Sequence, residues 1–297
     1  MMTVGFVGLG HMGLPMAINC LKAGNTVIGY DLAQPAMETL VQAGGKGASD
    51  LATLAKQSDV IITMLQTGDQ VKSVCLGEKG LFAHAQKESY HIDCSTIDVG
   101  TARHIHQQAK IAGLHSLDAP VSGGVAGARA GQLTFMVGGD INVLNALTPL
   151  LNCMAKKVIH AGSEGNGQAA KICNNMILGI SMLAVSESFV LAEKLGLPKQ
   201  KLHEIVSNAS GQCWTMEHYV PVGGVLENVP ANVDYQPGFS AAMMLKDLNL
   251  SQTCANEYHQ TLPMGKLAQT LYQQMQNEGK DHLDFSAIIQ LIAAMKD

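Results

Sequence analysis

The chain has 297 residues, a formal net charge of −5 at pH 7 and 47% hydrophobic residues, which is typical of a folded globular protein with room for two domains. This composition argues against a disordered chain, and the slightly acidic charge argues against nucleic acid as a partner. The longest uncharged apolar run of the second half, residues 176–185, is far shorter than the roughly 20 residues of a membrane span. We therefore expect no association with a membrane.

The first element that the sequence predicts is a strand followed by a glycine turn and a helix. The apolar run at residues 4–7 leads into a G-x-G-x-x-G segment: Gly8, Leu9, Gly10, His11, Met12 and Gly13. In such a segment the first glycine permits the tight turn, the second lets a pyrophosphate approach the backbone, and the third lets the helix pack closely on the strand. No basic segment precedes the strand, so we expect no signal peptide and a cytoplasmic location.

The second predicted strand, residues 26–30, ends in Asp31, about 20 residues after Gly10. An acidic residue at this distance binds the hydroxyl groups of the adenosine ribose. Its charge would repel the 2′-phosphate of NADP, and residues 32–45 contain no Lys or Arg to bind one. The predicted cofactor is therefore NAD. The alternative interpretation, a structural turn in which Asp31 caps a helix near Pro35, explains fewer features.

Five further strand-like runs follow, and amphipathic helical segments separate most of them: residues 60–65, 90–94, 115–119, 133–137 and 157–160. This alternation predicts a doubly wound parallel sheet of the Rossmann type, which binds its ligand at the carboxyl ends of the strands. Leu65 and Gln66 lie at the end of one predicted strand, and Thr96 and the segment 120–124 follow two others. We therefore expect them to lie along that edge.

From about residue 165 the strand pattern ends, and residues 168–195 predict one helix of about 42 Å. Further helical patterns follow at residues 199–208, 241–258, 262–277 and 286–295. We predict an NAD-binding Rossmann domain over residues 1–163 and an all-helical domain for substrate binding and oligomerisation over residues 164–297. The long helix and the apolar segment 288–295 favour a homodimer or a homotetramer.

Two segments offer groups for chemistry. Segment 118–124 ends in two glycines, which would expose backbone N–H groups beside the hydroxyl of Ser122 and could bind a small carboxylate. A plain strand-ending turn explains this segment equally well.

Lys171 and Asn175 are four residues apart near the start of the long helix, so they share one face. A solvated lysine is the more frequent situation, but the apolar residues after Asn175 indicate a buried helix.

The remaining candidate groups are possible metal ligands, three aromatic side chains and a second lysine. The cysteines and histidines have no metal-ligand spacing, so we predict no metal site. Trp214, Tyr219 and Phe239 belong to a loop-rich section, where aromatic residues most often pack in a core. Their functional interpretation is an apolar wall for a small substrate. Lys246, inside an apolar helical segment, offers either a second ammonium group for the site or a charge at its rim.

These motifs together resemble the 3-hydroxyacid (β-hydroxyacid) dehydrogenase family over essentially the whole chain. The resemblance is carried by residues 6–17, residues 118–124, Gly165-Asn166-Gly167 with Lys171 and Asn175, and Lys246-Asp247. It implies that Lys171 is catalytic, that Asn175 orients the substrate, and that three residues hold the substrate carboxylate: Ser122, Gly123 and Gly124. It also implies cofactor contacts from Leu65, Gln66, Thr96 and Lys246.

The loop segments 211–214, 219–224 and 235–239 are most similar to family members that oxidise 3-hydroxyisobutyrate to methylmalonate semialdehyde in valine breakdown. A tartronate semialdehyde or glyoxylate reductase of the same family is the alternative. In either case we expect burial and the nearby Lys246 to lower the pKa of Lys171, so that it can act as acid and base while NAD carries the hydride. A nucleotide-binding sensor without catalysis would leave the pairing of Lys171 with Asn175 unexplained.

Overall fold

The structure is a computed structural model that describes residues 1–295. The chain divides into two compact units, Met1–Lys171 and Ile172–Asp297; Lys296 and Asp297, the end of the predicted second domain, lie outside the described residues. The division falls inside the long helix rather than before it. The reason is that the first turn of this helix packs on the N-terminal unit, where Gln168 bonds the backbone of Ser95 and Ile97.

The N-terminal unit is an α/β fold. Its strands are β1 (Thr3–Val7), β2 (Thr26–Tyr30), β3 (Lys46–Gly47), β4 (Val60–Thr63), β5 (Tyr90–Asp93), β6 (His115–Asp118), β7 (Val121–Ser122), β8 (Leu133–Gly139) and β9 (Ala155–Gly162). Its helices are α1 (Gly13–Lys22), α2 (Gln34–Gln42), α3 (Leu51–Gln57), α4 (Gly68–Leu76), α5 (Leu81–His84), α6 (Val99–Ala112), α7 (Gly124–Ala130), α8 (Ile141–Leu151) and the start of α9 (Asn166–Lys194). Each of the seven predicted strands is present, and the two-residue strands β3 and β7 are additional.

The nine strands form one sheet in the order β3-β2-β1-β4-β5-β6-β8-β7, with β9 paired to β8. The strands from β3 to β6 are parallel to one another, as predicted. The predicted fold class is confirmed, with one local departure beyond β6: β8 runs antiparallel to both β6 and β7, although β9 is again parallel to β8. A parallel connection needs a crossover of a dozen or more residues, and only the short helix α7 separates β7 from β8.

Both faces of this sheet are covered. Along β4 the side chains alternate between two apolar clusters, with Val60 and Ile62 in one and Ile61 in the other. All four residues of β4 are buried. A strand that is apolar on both sides is typical of a sheet with helices on each face, which leaves only the strand ends accessible to a ligand.

His91 interrupts the apolar pattern of β5 and is fully buried. Its Nε2 lies 3.1 Å from Oγ1 of Thr63 and 3.6 Å from Sγ of Cys75, whereas its Nδ1 has no hydrogen-bond partner. Burial, and to a lesser extent the charge of His106, lowers the pKa of His91 to about 3. The unfolded chain therefore binds a proton near pH 6.5 that the folded protein does not bind.

This difference predicts a loss of stability in acid. Because the folded pKa is depressed, the stability is complete above about pH 6.5 and falls progressively toward pH 3. Relative to His91→Gln, the free energy of unfolding of the parent should fall by about 2 kcal/mol between pH 7 and pH 5, at about 1.4 kcal/mol per pH unit. Urea unfolding of both proteins at a series of pH values measures this difference. If the free energy of unfolding fell equally with pH in both proteins below pH 6.5, His91 would accept its proton without unfolding.

The C-terminal unit is helical, as predicted. It contains most of α9, then α10 (Lys199–Ser207), α11 (Trp214–His218), α12 (Ala241–Glu257), α13 (Pro263–Asn277) and α14 (Ile288–Ala294), with 3₁₀ turns at Pro230–Asn232 and Phe285–Ala287. Helix α11 was not predicted. Ile288, Ile289 and Leu291 pack into the core of their own unit, so the apolar C-terminal segment does not support an oligomer, which stays a prediction.

Helix α9 is long and apolar enough to cross a membrane by length and composition alone, with a mean hydropathy of 1.6 over 18 residues. The uncharged apolar run of residues 176–185, which lies within this helix, is too short to have indicated such a span. Of that window, 44% is buried within the protein. The core helix of a folded domain has the same composition, because it too is surrounded by apolar side chains.

Candidate active site

The turn after β1 is built around three glycines. Gly8 has a φ of +93°, and a Cβ there would collide with the carbonyl oxygen of Met64. A Cβ on Gly13 would collide with the carbonyl oxygen of Gly8, so neither position tolerates a side chain. Gly10 differs, because it is exposed and no atom lies within 4 Å of the place of its Cβ. The space beside Gly10 is therefore open to a ligand, which is the fit that a pyrophosphate requires.

The carboxylate of Asp31 lies beside this turn. One oxygen accepts a hydrogen bond of 2.6 Å from the backbone N–H of Leu9, and the other accepts one of 2.7 Å from the N–H of Ala33. The N-cap of α2 is Ala33, without a side-chain cap, so Asp31 is not the cap of that helix. It instead joins the end of β2 to the glycine turn and keeps lone pairs for a ribose hydroxyl. Of the remaining turn residues, His11 is exposed and Met12 half-buried.

The loops after β4 and β5 lie at the same edge of the sheet and are joined to each other. The N–H of Leu65 donates to Oγ of Ser95 at 2.9 Å, and that hydroxyl donates to Oδ1 of Asp93 at 2.6 Å. Asp93 is buried, and its burial raises the pKa of the carboxyl. Gln66 is exposed and Thr96 half-buried. The structure thus brings together the predicted cofactor residues of this unit at the carboxyl ends of β1, β2, β4 and β5.

Ser122 lies in β7, opposite Thr134 of β8, rather than in a plain turn. The chain then bends through Gly123 and Gly124, which have φ values of +133° and +61° and start α7. Such values favour glycine. Both glycines are exposed and Ser122 is half-buried, so their backbone and the serine hydroxyl are accessible to a small ligand.

The start of α9 is held against the sheet by Asp118, at the end of β6. Its carboxylate accepts hydrogen bonds from the N–H of Gly165 at 2.8 Å and of Gln168 at 2.9 Å, and such N–H groups have no partner within a helix. His106 contacts the same carboxylate at 2.9 Å. A Cβ on Gly167 would collide with the carbonyl oxygen of Met136, which explains a glycine at this position.

Lys171 lies one turn further along α9 and is only 7% exposed, and Asn175, one turn later still, is 2% exposed. The lysine is buried, in contrast to the solvated alternative. In the C-terminal unit, Nδ2 of Asn175 donates to Oδ2 of Asp247. Nζ of Lys246 lies 3.7 Å from the other oxygen of Asp247, and the Lys246 side chain is partly exposed.

The predicted aromatic wall is a stack in the C-terminal unit. The rings of Trp214 and Tyr219 stack at 5.4 Å, and Tyr219 stacks on Phe285 at 5.3 Å. Phe239 meets Phe285 edge-on at 5.7 Å. Trp214 is 51% exposed, so it is not a core residue. The hydroxyl of Tyr219 donates to the buried carboxylate of Asp284 at 2.9 Å, and burial together with this carboxylate raises the pKa of Tyr219.

Within residues 1–295, no group of three or more His, Cys, Asp or Glu side chains has the geometry of a metal site. The groups of the N-terminal unit that can take part in chemistry are a buried amine, a serine hydroxyl and exposed backbone groups, and the glycine turn has open space for a ligand.

Two family models cover almost the whole chain. The NAD-binding domain of 6-phosphogluconate dehydrogenase matches residues 3–162, and the domain described as NAD-binding of NADP-dependent 3-hydroxyisobutyrate dehydrogenase matches residues 165–292. The human mitochondrial 3-hydroxyisobutyrate dehydrogenase is 42% identical over 289 residues, which covers 97% of this chain and 86% of the human protein. The chain belongs to the 3-hydroxyacid dehydrogenase family. It is an NAD-dependent oxidoreductase that acts on a 3-hydroxy acid.

Two further members of the 3-hydroxyacid dehydrogenase family are similar over the full length. The NAD-dependent L-serine dehydrogenase of Pseudomonas aeruginosa is 44% identical over 291 residues, 98% of each chain. The solved structure of 3-hydroxyisobutyrate dehydrogenase of Mycobacterium tuberculosis with L-serine has a TM-score of 0.93 at 43% identity, over 99% of this chain and 100% of that one. The similarity therefore extends to both units, whereas the substrate names differ between relatives.

In this 3-hydroxyacid dehydrogenase, Asp31 should favour NAD over NADP. We expect kcat/KM to be higher with NAD, and Asp31→Asn to narrow the gap, because it weakens both the ribose bond and the repulsion of a 2′-phosphate. Glu38→Gln is the control, since it removes one exposed negative charge from the following helix α2. Equal kcat/KM values for the two cofactors in the parent protein would contradict the prediction.

Sequence reasoning missed three buried groups that support these residues of the dehydrogenase. They are Asp118 as the cap of α9, Gln168 in its first turn, and the pair of Asp284 with Phe285 beneath Tyr219. For Asp118 and Asp284 the available signal was a carboxylate between apolar neighbours, and for Gln168 there was none. That signal does not name the partner, because each partner comes from a distant part of the chain.

Proposed function

We propose that the protein oxidises 3-hydroxyisobutyrate to methylmalonate semialdehyde with NAD, as a step of valine degradation. The main support for this reaction type is the burial of Lys171, which is only 7% exposed. It lies on α9, whose start is bonded to Asp118 of the nucleotide-binding unit. Support for the substrate comes from the relatives named 3-hydroxyisobutyrate dehydrogenase and from the aromatic stack around Tyr219.

The cofactor would be held by the glycine turn from Gly8 to Gly13, by Asp31, and by the loops that carry Leu65, Gln66 and Thr96, with Lys246 as a further contact. The open space beside Gly10 fits it. When bound, NAD supplies the acceptor for a hydride from the carbon that bears the alcohol.

The remaining steps fall to the protein's own residues. Ser122, Gly123 and Gly124 bind the substrate carboxylate through the hydroxyl and backbone N–H groups. Lys171 takes the proton of the alcohol, as the general base of the reaction. In the reverse direction the protonated Lys171 donates a hydrogen bond to the aldehyde oxygen. Asn175 orients the substrate.

We assign Trp214, Tyr219 and Phe239 to the C2 substituent of the substrate. Their rings offer an apolar surface, which suits a methyl group. A C2 hydroxyl, as in glycerate, would lose hydrogen bonds there, at about 1 to 3 kcal/mol, or roughly five- to a hundredfold in kcat/KM. The tartronate semialdehyde and glyoxylate reductase alternative is disfavoured for this reason.

L-serine is a second candidate, because the Pseudomonas aeruginosa relative is named for it. It is also a 3-hydroxy acid, with an ammonium group where 3-hydroxyisobutyrate has its methyl group. An ammonium group can bind to the face of an aromatic ring, although desolvation opposes this. The two substrates therefore differ only in what they present to the same aromatic surface.

Kinetics with four substrates decide between these functions. We expect the order of kcat/KM with NAD to be 3-hydroxyisobutyrate, then L-serine, then glycerate and glycolate. A tenfold advantage for L-serine or for glycerate would overturn the substrate and the valine pathway, while the family would stand. Absence of turnover with every 3-hydroxy acid would overturn the proposed function as a whole.

We also propose a cytoplasmic homodimer or homotetramer whose partner is the small substrate alone, without nucleic acid or membrane. Light scattering on the purified protein measures the mass against the 31.4 kDa of one chain, and a monomer at micromolar concentration would contradict the proposal.

A further inference from the structure

A buried glutamine bridges the loop after β5 and the start of α9. The side chain of Gln168 is fully buried. Its Nε2 donates to the carbonyl oxygen of Ser95 at 2.7 Å, and its Oε1 accepts from the backbone N–H of Ile97 at 3.1 Å. The amide therefore bonds the backbone on both sides of Thr96, in the manner of a neighbouring strand.

The two residues that Gln168 holds are buried, whereas Thr96 between them is half-buried. Fixing the backbone on both sides of Thr96 fixes the direction of that residue. Ser95 is fixed a second time, because its hydroxyl donates to Asp93 and accepts from the N–H of Leu65. The orientation of both loops at this edge thus depends on one continuous set of hydrogen bonds.

The other end of the bridge is the helix that bears Lys171. The N–H of Gln168 donates to Asp118 at 2.9 Å, and Lys171 follows within one turn of the same helix. A helix is rigid over one turn, so a shift of Gln168 moves Lys171 with it. All of these residues belong to the N-terminal unit.

We infer that Gln168 is a positioning residue, which sets the distance between the Thr96 loop and Lys171 for hydride transfer. The inference rests on the acid and base role proposed for Lys171. Reacting groups must lie within about 3 to 3.5 Å of each other, and a misplacement of about 1 Å can lower the rate a hundredfold. Among unbranched side chains of this length, only glutamine supplies both the donor for Ser95 and a strong acceptor for Ile97; ionised glutamate lacks the donor, and methionine has only a weak sulfur acceptor.

The test compares Gln168→Met with Asn166→Ala. Methionine keeps the length of the side chain, removes the donor for Ser95 and replaces the acceptor for Ile97 with a weakly accepting sulfur. The control removes an amide from the same turn of α9, where Nδ2 of Asn166 donates to the carbonyl oxygen of Ala161 at 3.1 Å, away from the Thr96 loop. Gln168→Glu is a second test variant, which keeps the acceptor for Ile97 and loses the donor for Ser95.

We expect Gln168→Met to lower kcat by about 10- to 100-fold, with Kd for NADH within about threefold of the parent. The primary deuterium isotope effect on kcat should rise, because misalignment slows the hydride step itself. Amide hydrogen exchange at Ile97 should become faster. Gln168→Glu should lower kcat at least as much, because it buries a carboxylate against the carbonyl oxygen of Ser95. Asn166→Ala should leave kcat, the isotope effect and the exchange of Ile97 unchanged.

Two results would overturn the inference. One is a normal kcat in Gln168→Met together with faster exchange at Ile97, which would make the bridge purely structural. The other is an equal loss of kcat in Asn166→Ala, which would point to general loosening of the helix start. Full activity of Lys171→Ala in the same assays would instead overturn the proposed function, so the two failures are distinguishable.

Discussion

Replacing Lys171 with alanine should lower kcat by about a hundredfold or more, the usual scale for the loss of a general acid or base, while NADH still binds. The amine is buried to 7% exposure on α9, and the mechanism has no other residue assigned to take the alcohol proton. The cofactor contacts belong to other loops, so the affinity for NADH should not depend on this side chain. Steady-state kinetics and a fluorescence titration with NADH measure the two quantities.

The control for this experiment is Lys194→Ala, which removes an exposed lysine from the last turn of the same helix. It should leave both kcat and Kd unchanged. Retained turnover in Lys171→Ala would assign the lysine to structure alone. Loss of NADH binding together with turnover would indicate that the variant does not fold, and thermal unfolding of the two variants tests this directly.

Gly10→Ala should weaken the binding of NADH, whereas Gly13→Ala should lower the stability of the protein, although each adds a single methyl group to the same turn. In Gly10→Ala the new Cβ would stand in open space, so the free protein should unfold at the same temperature as the parent. Kd for NADH should nevertheless rise about tenfold or more, because the methyl group occupies the place of the pyrophosphate. In Gly13→Ala the Cβ collides with the carbonyl oxygen of Gly8, and we expect a loss of about 1 to 3 kcal/mol of stability.

Thermal unfolding without cofactor and an NADH titration separate the two effects. Binding of NADH to Gly10→Ala with the affinity of the parent would show that the pyrophosphate does not lie against this turn. An unchanged unfolding temperature for Gly13→Ala would show that the contact between α1 and the glycine turn relaxes without cost.

Much of the site follows from local sequence, because the physical causes act over a few residues. A φ of +93° at Gly8 is a property of one turn, the alternation along β4 is a property of one strand, and the spacing of Lys171 and Asn175 is a property of one helix. The strands β1, β2, β4, β5 and β6 and the extent of α9 were predictable for the same reason, whereas the two-residue strand β3 was not. The place of the acidic residue after β2 was predictable from its spacing along the chain from Gly10, and Asp31 does lie next to the glycine turn.

Only the tertiary structure decided the contacts between distant segments. The direction of β8 depends on the short connection through α7, and the burial of Lys171 depends on what surrounds α9. Gln168 meets Ser95 and Ile97 across more than 70 positions of the chain, and no local pattern distinguishes it from other polar residues at the start of a helix. Periodicity shows which face of an element is buried, whereas the partner of a buried polar group is set by the packing of the whole fold.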